Sequence, residues 1–297
     1  SIDHAAELVE RQWGERLIRG WNEGWWTATE RIGAKIAPLL GARPDEVIVA
    51  DSTSVNLFKL LWAALNALPD RHRIVTDDMN FPTDLYVMEA AARAAGGRSV
   101  DVVQSSDGIS GPVDGIIDAL DSDVALLTLS HVTFKSGYLY DMARLTKAAH
   151  DVGAMVLWDL SHSAGVVPMD LDDVDMAVGC TYKYLNGGPG SPAFLYVNPG
   201  LSLDNPLFGW WGHARPFDFE LEYQAAPGIA QFQTGTMPIL SLSAIEPALE
   251  LVNGAGVEQI RSKSLALSEF LIGLADDVLA PLGFELASPR SGSSRGS

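Results

Sequence analysis

Short apolar, β-branched runs alternate along the chain with longer stretches in which apolar residues recur at helical spacing. Residues 46–50 read as a strand, and 55–68 follow with Val55, Leu57, Phe58, Leu60, Leu61 and Leu65 at helical intervals. Residues 73–76 are strand-like, and 82–95 form an Ala-rich helix closed by Gly96-Gly97. Residues 99–103, 124–129, 155–158, 176–178 and 193–197 complete a set of buried strands, with a helix over 142–152 between two of them. This rhythm predicts an α/β fold, a mostly parallel sheet flanked by helices on both faces. Ligands of such folds bind beyond the carboxyl ends of the strands, so the turns after each strand are the places to search.

From residue 241 the pattern turns to helices, 241–251 and 256–279, followed by an Ala280-Pro281-Leu282-Gly283 break. Residues 25–240 are expected to form one large domain. Residues 1–24 and 241–297 would give an incomplete N-terminal segment and part of a smaller C-terminal domain. The chain opens abruptly in a helix over 2–17 and runs out in a Ser/Gly/Arg stretch, as a sequence cut at both ends would.

Composition narrows the class. With 297 residues, 47% of them hydrophobic, the chain can bury a full core. A net charge of −18 argues against nucleic acid or anionic membrane as a partner, because both demand Lys/Arg patches. Cys180 is the only cysteine, so no intrachain disulfide can form, and its apolar run 176–180 marks it as a small core residue. No stretch approaches ~18 uninterrupted apolar residues, and the start lacks the basic-then-apolar form of a signal peptide. A cytoplasmic location is the expectation.

Chemistry enters at the strand ends. Asp159 closes the apolar run Met155-Val156-Leu157-Trp158, where a carboxylate is costly unless a cation or hydrogen bonds meet it. Alone it would read as a helix cap. The next strand leads to Tyr182-Lys183, ahead of the Gly-rich turn Asn186-Gly187-Gly188-Pro189-Gly190. A lysine there could be a solvated loop residue. Two adjacent strands, however, would put Asp159 and Lys183 on one side of a pocket. That pair suits pyridoxal phosphate, whose aldehyde needs an amine and whose ring nitrogen needs a carboxylate to stay protonated. Thr53 and Ser54, between a strand and an amphipathic helix, offer a phosphate cradle, although Ser/Thr at a helix start is usually only a cap. The nearby Asp51 would have to point away. Phe81 offers a ring to stack on the cofactor and Asp84 an acid, although Pro82 at the first helical position accounts for part of that turn.

The segments Phe81-Pro82-Thr83-Asp84, Asp159-Leu160-Ser161-His162, Tyr182-Lys183-Tyr184-Leu185-Asn186-Gly187-Gly188 and Gly209-Trp210-Trp211-Gly212-His213 together resemble the kynureninases. The match runs in order over nearly the whole chain. It implies a fold type I pyridoxal-phosphate enzyme and the hydrolytic Cβ–Cγ cleavage of L-kynurenine or 3-hydroxykynurenine, in tryptophan degradation. The products would be anthranilate or 3-hydroxyanthranilate, and L-alanine. By resemblance, Lys183 forms the Schiff base and later removes the α-proton, and Asp159 pairs with the pyridinium. His162 lies near the ring; Thr53, Ser54 and Tyr182 bind the phosphate; Phe81 and Asp84 bracket the ring; Ser130 is a further cofactor contact. Tyr182 is also the candidate for delivering a proton to Cβ. Trp210 and Thr236 resemble residues that reach the neighbouring subunit's cofactor, which implies a homodimer, although a Trp pair is often only a core or interface anchor. No residue matches the family's carboxylate-binding arginine. Two other readings stay open: another fold type I enzyme, a class V aminotransferase or desulfurase, or a non-catalytic cofactor-binding fragment.

Overall fold

A computed structural model describes residues 2–297. Seven strands form one sheet: β1 (Val47–Val49), β2 (Arg73–Asp77), β3 (Ser99–Val103), β4 (Val124–Ser130), β5 (Met155–Asp159), β6 (Met176–Gly179) and β7 (Phe194–Val197). Their spatial order is β1-β7-β6-β5-β4-β2-β3. The pairs β2/β3, β2/β4, β4/β5 and β5/β6 are parallel, while β7 is antiparallel to both of its neighbours. β1 therefore runs in the same sense as β6, and only β7 is reversed. The expected α/β architecture with a mostly parallel sheet is what the chain forms.

Strand side chains alternate between two cores. Val156 and Trp158 of β5 face a core shared with α2 (Ala28–Ile36), α5 (Val113–Ala119) and α6 (Met142–Asp151). Leu157 faces the opposite core, filled by α3 (Thr53–Ala67) and α4 (Pro82–Ala94). Burial on both faces explains why these strands read as unbroken apolar runs. Because β2 to β6 run parallel, their carboxyl ends lie together at one edge of the sheet.

Beyond the sheet come α7 (Ile239–Ser243), α8 (Ile245–Ala255) and α9 (Val257–Leu274). Leu242, Ile245, Leu249 and Val252 join the sheet's own core, whereas Phe270, Leu271 and Leu274 of α9 are exposed. The continuous helix expected over 2–17 is not formed. α1 (Ile2–Glu7) passes into a π-helical turn, Leu8–Trp13, and then a 3₁₀ turn, Leu17–Trp21. Trp25 Nε1 donates to Gln12 Oε1 at 2.8 Å and Trp21 meets Trp25 edge-on at 5.4 Å, so the indoles find partners by folding the chain back. The helix expected over 241–251 is likewise split at Ala244. Among the described residues no helix is long and apolar enough to cross a membrane.

Candidate active site

Two adjacent parallel strands build the centre of the site. Asp159 ends β5 and pairs in register with Val178 of β6, from which the chain runs on to Lys183. Asp159 is buried, and its Oδ1 accepts the Ser161 N–H at 2.8 Å. After Lys183 the chain turns sharply. Gly187 donates its N–H to the Thr181 carbonyl at 2.8 Å, and a Cβ on it would lie 2.8 Å from the Ser191 hydroxyl and 3.0 Å from that carbonyl oxygen, so a larger residue would force the turn to shift. The turn holds Lys183 over the end of β5, with Nζ 3.0 Å from His162 Nε2. Burial pulls the imidazole pKa down, and the charge of Lys183 adds to this against Asp159. His162 is therefore neutral and accepts from Lys183 at Nε2.

The second acid comes from the turn after β2. Asp77 Oδ1 accepts the N–H groups of Met79 and Asn80 at 3.0 and 3.1 Å, and its Oδ2 accepts the Tyr140 hydroxyl. Asn80 Oδ1 in turn accepts the Ser130 N–H at 2.5 Å. This network fixes the start of α4, where Phe81 stands at the cavity and Asp84 points inward, 5% exposed. Burial, and then the neighbouring Asp159 charge, push the Asp84 carboxyl up to about 9, although Lys183 acts the other way. Its Oδ2 is buried without a hydrogen-bond partner. The Asp84 proton lies between the two carboxyls, and a cationic donor placed there would let both ionise.

The cradle follows β1. Ser52 caps α3, its Oγ accepting the Val55 N–H, and Thr53 and Ser54 occupy the first turn of this fifteen-residue helix. The helix start presents free N–H groups and the positive end of its dipole. Asp51 stays on the wall of the cradle, but its carboxylate is engaged: it meets Lys59 Nζ at 2.9 Å and the Thr234 hydroxyl at 3.2 Å.

A cavity of about 290 Å³ brings together Thr53, Ser54, Phe81, Asp84, Asp159, His162, Tyr182 and Lys183. Lys183 is the only lysine on its wall; Lys135 is exposed and lies off it. A second cavity, about 520 Å³, shares Thr53, Ser54 and Tyr182 with the first and is also lined by Thr236. Ser130 is not on either wall; its place is fixed through Asn80. Trp210 also lies outside both and lines an aromatic hollow with Trp21, Trp26, Trp211 and Phe217. Phe134 went unnoticed in the sequence, yet it packs edge-on against Phe81 at 5.3 Å and closes the smaller cavity. Its position just after the end of β4 was the available signal. Cys180 is buried, its thiol pushed up by burial, and its Sγ faces the Ser161 carbonyl at 3.9 Å.

Comparison with known proteins places the chain in a family. The model of the family "Aminotransferase class-V" matches residues 20–279. A kynureninase of Pseudomonas fluorescens is 43% identical over 307 residues, spanning 100% of this chain and 72% of that protein. One of Burkholderia mallei (strain SAVP1) is 43% identical over 302 residues, 99% of this chain and 71% of its own length. Among solved structures, the apo cysteine desulfurase of Thermococcus onnurineus NA1 superposes with a TM-score of 0.83 at 18% identity, covering 99% of this chain and 73% of that one. A C-DES variant with glycine covalently linked to its PLP cofactor gives 0.79 at 19% identity, covering 92% and 74%. At such identities the structures establish the shared fold.

Proposed function

The chain belongs to the kynureninase family within the class-V aminotransferases, and from that premise we propose that it hydrolyses L-kynurenine, or its 3-hydroxy derivative, to the corresponding anthranilate and L-alanine with pyridoxal 5′-phosphate. The observation that carries the reading is the meeting of Lys183, His162, Asp159 and Asp84 in one cavity, where Asp84 Oδ2 lacks a donor. The residues fit the cofactor. Lys183 Nζ makes no ion pair among the described residues, so its amine is free for the aldehyde. Asp159 and Asp84 would hold the proton on the ring nitrogen, Phe81 and Phe134 would cover the ring, and Thr53, Ser54 and Tyr182 would take the phosphate. Bound at Lys183, the cofactor supplies an electron sink for bond breaking next to the substrate's α-carbon.

The protein's own groups then move the protons. Lys183, once freed by the substrate amine, takes the α-proton at Nζ. Neutral His162 favours this by accepting a hydrogen bond from Nζ without adding a second positive charge. Water adds to the side-chain carbonyl, Cβ–Cγ breaks, and the aromatic acid leaves. Tyr182, whose phenol burial pushes up, delivers a proton to Cβ. A desulfurase reading would need a mobile, reactive cysteine, and Cys180 is buried with a raised pKa.

Two copies are proposed to pair, each lending Trp210 and Thr236 to the other's site. The support is that Trp210 lies outside its own chain's two cavities, on an exposed face with Phe208, Phe217 and Phe219, and that Thr236 borders the aromatic hollow beside Trp210 as well as its own chain's larger cavity. A cytoplasmic homodimer is the form proposed. Adding kynurenine and following anthranilate fluorescence tests the activity; release of alanine without anthranilate, or no product at all, would sink it.

A further inference from the structure

The larger cavity is an odd place to hold an anion. None of the residues lining it is basic, and one of them, Asp51, is an acid. The fold forces Asp51 there. β1 passes into α3 through a left-handed turn with φ +46° at Asp51, whose carbonyl is tied to the Ala193 N–H at 2.9 Å. A carboxylate beside a phosphate cradle opposes binding by like-charge repulsion.

The compensation lies behind the wall. Lys59, two turns into α3, is fully buried, and its Nζ meets Asp51 Oδ2 at 2.9 Å and the Phe232 carbonyl at 2.6 Å. Thr234 Oγ1 donates to the same carboxylate at 3.2 Å. One ammonium thus joins three walls of the cavity: the 51–54 turn, α3, and the 232–236 segment that carries Thr236. Stability does not call for it. A buried ion pair is often no better than well-packed apolar side chains, and burial pulls the Lys59 pKa down even with Asp51 opposing.

We propose that Lys59 is a positioning residue for the cofactor's phosphate: it cancels the Asp51 charge at the cradle and, through the Phe232 carbonyl, holds the segment that begins there against α3. The inference rests on the cavity being a pyridoxal-phosphate site. Its test is titration of the whole chain with pyridoxal 5′-phosphate and, separately, with pyridoxal, which lacks the phosphate. Lys59→Met is expected to weaken pyridoxal 5′-phosphate binding by ~10- to 100-fold and to leave pyridoxal binding unchanged. Adding Asp51→Asn to that variant should recover most of the loss. Asp51→Asn alone, nearly isosteric, should bind the phosphorylated ligand no more weakly than the wild type. Equal loss of both ligands in Lys59→Met overturns the proposal, as does a double variant no better than the single. If Lys59→Met does not fold, Asp51→Asn decides: weaker binding of the phosphorylated ligand alone would overturn it. Wild-type protein that bound neither ligand would instead sink the cofactor reading and this inference with it.

Discussion

Asp84 shows how a single carboxyl can report the state of the site. In the cofactor-free protein it keeps its proton to about pH 9 through burial beside Asp159. An acid whose folded pKa lies above its unfolded value holds more protons folded than unfolded between the two, so stability falls as pH rises toward the folded pKa. Asp77 behaves likewise but only to about pH 6. Urea unfolding between pH 7 and 9 should therefore show stability falling by up to ~1.4 kcal/mol per pH unit, and Asp84→Asn should flatten that slope. A slope unchanged by the substitution would remove the buried proton from Asp84. Asp159 and Lys183 predict chemistry. Lys183→Ala should abolish the visible absorbance of the lysine-linked cofactor, and a linkage that borohydride could still reduce would point to another lysine. Asp159→Asn should keep cofactor bound but slow α-proton exchange by roughly 10²- to 10³-fold; near-normal exchange would take this carboxylate out of the mechanism. Residues at strand ends were legible because the fold class says where ligands bind. Lys59 and Phe134 were not, since their importance lies in contacts with Asp51, Phe232 and Phe81 that spacing along the chain does not reveal.

At the scale of elements, the strands and long helices stood out and the short helices did not. β5 and β6 are unbroken apolar runs, and α4 starts with Pro82 as its sequence demands. α2 and α5 have nine and seven residues, and Gly33 and Gly115 interrupt their patterns. Gly33 is there for packing: a Cβ would stand 2.2 Å from the Val47 carbonyl oxygen, where α2 lies directly on β1. Gly33→Ala must push helix and strand apart, with an expected loss of ~1–3 kcal/mol in denaturant unfolding. Because β1 feeds the Asp51 turn, the same variant should also weaken pyridoxal 5′-phosphate binding. Unchanged stability would mean that α2 slides on β1 without cost, against the close contact seen. The broken start of the chain has a similar lesson. Its periodicity suits one helix over 2–17, but Leu17 sits at φ +53° and the indoles of Trp21 and Trp25 settle elsewhere. Tertiary partners overrode local propensity.

For the whole molecule, the proposed pairing of two copies makes a prediction that no single-chain property can mimic. If each site takes Lys183 from one protomer and Thr236 with Trp210 from the other, the two kinds of residue can be damaged in different chains. Lys183→Ala chains alone are inactive at every site, and chains carrying Thr236→Ala with Trp210→Ala are expected to be strongly impaired at every site. Within a mixed dimer one site collects both defects and the other collects neither. Random exchange of equal amounts makes about half of the dimers mixed, so about a quarter of all sites become intact and activity should rise toward that fraction of the wild type. The exposed aromatic face argues for such a partner: Phe217 and Phe219 are 60% and 74% exposed, and Leu221 beside them is fully open. Hydrophobic residues gathered so near Trp210 are costly in water unless covered. The experiment needs subunit exchange, which brief denaturant treatment or co-expression provides, and dimer formation is checked by sedimentation of each variant. Variants that dimerise and exchange yet regain no activity on mixing would show that every site is built within one chain, and the shared-site arrangement would be wrong.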